Sequence, residues 1–169
     1  MDHTSLNVPY FSQWETPDMT LPILSEGASA LHRDPLWRNS GAETIEEYAR
    51  WAVNVCGMAC LKMILAARGE THPILSLARA CTAYGGYVVN ETDTSINGLI
   101  YAPFVNFVRE RFSLSADVRT GVPTVGIPAI LAGHRFFTAG TRAAVEGRSS
   151  RARHGRLAGG HPLSQSLRP

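Results

Sequence analysis

Apolar positions along the chain fall mostly on helical spacing. Ile45, Tyr48, Ala49 and Ala52 share one face, which predicts an amphipathic helix over about residues 43–53, with Ser40 and Glu43 at capping-box spacing ahead of it. The run "AVNVCGMACLKMIL" opens a second helix over 57–68. Met58, Leu61, Ile64 and Leu65 line one stripe, Ala59, Ala66 and Ala67 flank it, and only Lys62 and Arg68 are charged. A helix apolar almost all round is a central, buried one. Gly69 provides its stop. A third helix starts near Pro73 and ends at Gly85 and Gly86, and a fourth runs from Pro103 to about Phe112. The alternation of Leu114, Ala116 and Val118 predicts a short strand, "IPAILAG" a brief helix and "RFFTAG" a further strand.

Outside these elements the pattern thins. Pro9 biases Val8 toward extended geometry, so 8–11 reads as extended. The polar stretch that follows, ending in "HRDPLWRNSG", has prolines and no period and reads as a loop with one short helical turn. Beyond Gly140 the text is rich in Arg, Gly and Ser and carries no aromatic residue. Ordering such a segment costs about 1–2 kcal/mol per residue, with little apolar surface to offset it. The expected organisation is one domain over 1–139 and a disordered tail over 140–169.

Composition sharpens that division. The chain has 169 residues, 44% hydrophobic and 18% charged, with a net charge of +2. Up to Ala132 there are 9 Lys and Arg against 13 acids; from Gly133 on there are 7 Arg against Glu146 alone. A discontinuity of charge and period near 135–140 is what a shifted reading frame or a non-native tail would leave. Seven arginines without interleaved aromatics are a weak nucleic-acid footprint, so no nucleic-acid partner is expected. No stretch reaches the roughly 18 apolar residues of a membrane span, and "MDHTSLNVPY" lacks a secretory pattern, so the expectation is a cytoplasmic chain with no membrane partner. Cys56, Cys60 and Cys81 are odd in number and read as thiols.

The chemistry concentrates at Cys56. Ser, Thr, Asp or Asn would cap a helix better, yet a thiol heads the most apolar one. A helix N-terminus presents unpaired N–H groups and about half a positive charge, which favours a thiolate. Gly57 leaves room beside it for an approaching carbonyl, and a glutamine such as Gln13 in "PYFSQWE" is able to donate its amide to an oxyanion. Against this stands simple packing, the usual role of a free cysteine. A zinc site from Cys56, Cys60, Cys81 and a histidine is disfavoured by the single loose pair of ligand spacings; no metal and no cofactor is expected.

An extended "VPYFSQW", a polar insertion and then "CGMACLKMIL" resemble the bacteriocin-leader-processing peptidases and their relatives in the papain-like cysteine peptidase clan, over about residues 8–132. The resemblance implies an α+β, papain-like cysteine peptidase fold with the N-terminal helical subdomain present and the C-terminal antiparallel sheet incomplete. It implies a thiol nucleophile at Cys56, an oxyanion glutamine at Gln13, and a peptide or protein substrate. The family's basic histidine follows the helices, often after glycine. His161 in "LAGGHPL" is assigned that role, ahead of His134 in "AGHRFF". The chain departs from the pattern after it: Pro162 follows, and no Asp or Asn occurs beyond Asp117 to orient an imidazole. The alternative is a catalytically inactive remnant acting as a binding domain.

Overall fold

Three residues separate two helices that meet at 93°, α2 (Ile45–Ala52) and α3 (Cys56–Ala66), and the rest of the fold is arranged around that corner. The structure is a computed structural model and describes residues 7–133, 136 and 138. Preceding the corner are α1 (Thr20–Glu26) and three-residue-period turns at Pro17–Met19, Gly27–Arg33 and Trp37–Ser40. After it come α4 (Ile74–Ala83), α5 (Tyr101–Phe112) and α6 (Ile127–Gly133). Among the described residues no single helix is long and apolar enough to cross a membrane.

Helix α3 is the spine. Met58, Ala59, Leu61 and Leu65 are buried, and with Trp51, Val55, Leu75, Ala78, Cys81, Tyr87, Phe107 and Val108 they form one continuous core shared with α4 and α5. Its C-terminus closes as expected: Gly69 takes φ +83° and the Glu70 N–H returns to the Leu65 carbonyl at 3.0 Å. Helix α4 ends the same way. Gly85 takes φ +82°, and the Gly86 N–H reaches the Cys81 carbonyl at 2.9 Å. Arg79 ties α4 to α2 through Glu47 at 2.7 Å and to the Gly41 carbonyl at 2.9 Å. A smaller second core joins Leu31, Tyr48, Ala49 and Ala52 to Trp14, Ile23 and Trp37.

Three expectations are corrected. The cap of α2 is Thr44, not Ser40. Its Oγ1 accepts from the Glu47 N–H at 3.1 Å, and the Glu47 carboxylate accepts from the Glu43 N–H at 2.7 Å. Residues 17–40, read as loop, are mostly helical turns. Their polar text hides Met19, Ala30, Leu31, Asp34 and Ser40, all buried. The strand over 114–118 does not form. Leu114 and Ala116 do turn inward against the core, but the Leu114 N–H returns to the Val108 carbonyl at 3.1 Å, and among the described residues no neighbouring strand pairs with the segment. Among the described residues the only sheet-like pairing is an antiparallel bridge between Val89 and Ile96. The second expected strand, at 135–140, and the tail over 140–169 lie outside the described residues, apart from 136 and 138.

Candidate functional site at the head of helix α3

The corner between α2 and α3 exposes Cys56, while every apolar residue of the next turn is buried or half-buried. Val55 precedes it as a fully buried cap residue with no side-chain bond to the helix. The first backbone N–H groups of a helix have no partner inside it, so the thiol stands where donors are concentrated. Cys60 lies one turn further along, half-buried. Burial pushes its thiol pKa up, and the neighbouring Cys56 adds to this. Cys81, on α4, is fully buried, and burial pushes it up to about 11. Of the three thiols Cys56 is the most open to solvent.

Gln13 is half-buried in a bend over residues 13–15. The bend is gathered around Lys62, on α3: its ammonium is 3.5 Å from the Glu15 carboxylate and 4.7 Å from the centre of the Phe11 ring. Residues two positions either side of Gln13 are thus fastened to the helix that Cys56 heads. Burial raises the Glu15 pKa; the Lys62 charge and hydrogen bond partly offset that, and Asp34 adds to it.

Asp34 holds the next residues of the same segment. It is 2% exposed. Its carboxylate accepts from the Thr16 N–H at 3.2 Å, the Thr16 hydroxyl at 2.5 Å and the Leu36 N–H at 2.9 Å, and also from the Tyr48 hydroxyl. The Tyr48 oxygen in turn accepts from the Glu15 N–H at 2.9 Å. Burial alone would raise the Asp34 pKa, but the bonds from Thr16, Tyr48 and Leu36 together outweigh it and hold the carboxyl below its ordinary value.

Next to the thiol, Gly57 is covered by Leu99, from the segment 86–100. The Asn97 N–H reaches the Val88 carbonyl at 3.0 Å and the Ile100 N–H the Gly86 carbonyl at 2.9 Å. This pairing sets the Leu99 side chain on Gly57: a Cβ at Gly57 would lie 2.6 Å from Leu99 Cδ2. The space beside Cys56 that the sequence reserves for a carbonyl is therefore taken by leucine in the free chain. Beneath lies Tyr87, 2% exposed, its ring edge-on to Trp51 at 5.5 Å and its hydroxyl without a hydrogen-bond partner. Burial raises the Tyr87 pKa, and the Cys81 and Cys56 thiols contribute.

Neither of the two described histidines, His32 and His72, stands at the head of α3. His161, the assigned base, lies outside the described residues, as do His3, His134 and His154. His72 is 3.5 Å from Glu70 and edge-on to Phe112 at 5.5 Å. That is the C-terminal end of α3, about 16 Å along the axis from Cys56 at 1.5 Å per residue. His32 is exposed, with Nδ1 3.3 Å from the Ser29 carbonyl. Among the described residues no three His, Cys, Asp or Glu side chains converge on a metal position; Cys81 belongs to α4, while Cys56 and Cys60 belong to α3.

The roles of Asp34 and Leu99, and of the Tyr48 hydroxyl, escaped the sequence reading, which placed Tyr48 only on the apolar face of α2. Lys62 left a signal, as the one ammonium in an otherwise apolar helix. Compared with protein-family models, with curated proteins and with solved structures, the chain matches none.

Proposed function

We propose that the chain is a cysteine peptidase-like hydrolase of peptide bonds, with the described helices as the helical half of a papain-like α+β domain. One observation carries this reading: the solvent-open thiol heads a buried helix, and the segment bearing Gln13 is clamped to that same helix through Lys62. In the proposed reaction the Cys56 sulfur attacks a peptide carbonyl. The C=O π pair moves onto oxygen, which takes hydrogen bonds from the Gln13 amide and the Cys56 backbone N–H. His161 receives the thiol proton and delivers it to the departing amine, leaving an acyl-thioester that water hydrolyses.

The test is hydrolysis of a fluorogenic peptide library by the full chain, by Cys56→Ala and by Gln13→Ala. Turnover abolished in the first and reduced about 10²–10³-fold in the second is expected, the usual loss for an oxyanion donor. Turnover that survives Cys56→Ala overturns the reading.

A second reading, a binding domain without turnover, draws support from the Leu99 side chain seated on Gly57. Peptide binding that is unchanged in Cys56→Ala, with no hydrolysis by the parent chain, selects it.

A further inference from the structure

Gln13 makes no anchoring contact through its own side chain in the network around it; its neighbours do the anchoring. Behind it, Thr16 is held twice by Asp34, through N–H at 3.2 Å and hydroxyl at 2.5 Å, and Glu15 is held by Tyr48, itself bonded to Asp34. Beside it, Glu15 and Phe11 flank the Lys62 ammonium. Asp34 belongs to neither the bend nor α3. It is the C-terminal neighbour of the Gly27–Arg33 turn, buried at 2% exposure, and one of its bonds goes to Leu36 in its own loop at 2.9 Å. A buried carboxylate is expensive unless its acceptor sites are filled, and here two of the four donors come from Thr16 alone. The carboxylate is thus satisfied only when the Gln13 bend is docked.

We propose that Asp34 is a positioning residue for Gln13: through Thr16 and Tyr48 it latches the bend against α2 and α3, and so sets where the Gln13 amide stands relative to the Cys56 thiol. The inference rests on the hydrolase reading above. Asp34 touches no reacting atom; its effect passes along the backbone from Thr16 to Gln13.

The Thr16 hydroxyl is the place to test the latch, because Thr16→Val preserves shape and removes one bond, while Thr16→Ser restores it. The probe is a short N-acetyl leucyl peptide aldehyde added to the full chain. Its carbonyl accepts the Cys56 sulfur; an S–C bond forms, the π pair goes to oxygen, and the thiol proton ends on that oxygen as a thiohemiacetal. Iodoacetamide, whose displacement at carbon creates no oxyanion, reads the thiol alone. The expected result is aldehyde affinity about tenfold weaker in Thr16→Val, recovered in Thr16→Ser, with an unchanged alkylation rate and faster amide exchange at Glu15 and Thr16. Aldehyde affinity that falls in Gln13→Ala but not in Thr16→Val overturns the latch and leaves the hydrolase reading standing. Equal losses of aldehyde affinity and alkylation rate in Thr16→Val mean general loosening and also overturn it. A parent chain that binds no aldehyde, or binds it equally well as Gln13→Ala, removes both readings together.

Discussion

Replacing Tyr48 by phenylalanine removes a single oxygen that serves two partners. The hydroxyl donates to the Asp34 carboxylate and accepts from the Glu15 N–H at 2.9 Å, and the side chain is fully buried. A hydrogen bond to a charged group is worth about 1.5–3 kcal/mol. Asp34 keeps its bonds from Thr16 and Leu36, so the loss should fall near the middle, about 2 kcal/mol at neutral pH, or roughly 4–8 °C in Tm for a domain of this size. The pH dependence makes the prediction specific. The Asp34 pKa is depressed in the fold, so its stabilisation is complete above the ordinary value of 3.8 and is lost as pH falls through the lower, folded value. Tyr48→Phe removes one cause of that depression. The penalty of the substitution should therefore shrink in acid toward the roughly 0.5–1.5 kcal/mol of a neutral bond, about half its value at pH 7. Glu15 works in the opposite sense: its pKa is raised, so its ionised form costs stability that returns as pH falls through the raised value. Comparing mutant with parent at each pH isolates Asp34 from that background. The assay is urea unfolding of both chains from pH 7 down to the acid limit of folding. A penalty that stays constant or grows as pH falls refutes the carboxylate bond as the source.

Three further outcomes follow from named contacts. Iodoacetamide at mildly alkaline pH should label Cys56 first and Cys60 more slowly, while Cys81, buried with a pKa of about 11, reacts only on unfolding; peptide mapping by mass spectrometry that finds equal labelling contradicts this order. Gly86→Ala should cost about 1–3 kcal/mol in urea unfolding, because its Cβ would lie 2.2 Å from the Cys81 sulfur and 3.0 Å from the Cys81 carbonyl oxygen; a neutral result means the α4 terminus moves freely. Tyr87→Phe deletes a buried hydroxyl that has no partner, so Tm should hold or rise, and a fall of more than about 3 °C, roughly 1 kcal/mol, shows that the hydroxyl is bonded in solution.

The helices α2 to α5 were legible because each buries a face through its own periodic residues, and Gly69 and Gly85 stop two of them at positive φ. The region before α2 was not, because its order comes from elsewhere. Asp34 in "HRDPLWRNSG" looks like any loop acid until Thr16 and Tyr48, 18 and 14 residues away in sequence, fill its lone pairs. The alternation at 114–118 was a true signal of burial and a false one of a strand: Leu114 and Ala116 pack inward, but a strand also needs a partner for its backbone, and periodicity carries no information about partners. At the site, a thiol at the head of a buried helix was visible in "NVCGMACL", since composition alone marks both the helix and its odd first residue; its exposure was not. What Gly57 is for was not. A bare Cα reads the same whether it admits a ligand or a leucine.

That ambiguity bears on how the site would open. Full burial of a leucine side chain is worth about 1.5–3 kcal/mol, and Leu99 is only partly buried against the core, so lifting it from Gly57 costs about 1 kcal/mol. A peptide that lays its own apolar side chain in the same place recovers that cost, whereas water does not. Leu99 thus covers Gly57 at low cost, beside a Cys56 thiol that is itself exposed. The Lys62–Glu15 pair and the Asp34 bonds hold the Gln13 bend, where breaking a contact would strand a buried charge. The two sets of contacts are therefore unequal in stiffness, a cheap apolar cover on Gly57 and a costly polar anchor on the Gln13 bend, and the proposed hydrolase needs that division: a cover that yields and a donor that stays in place.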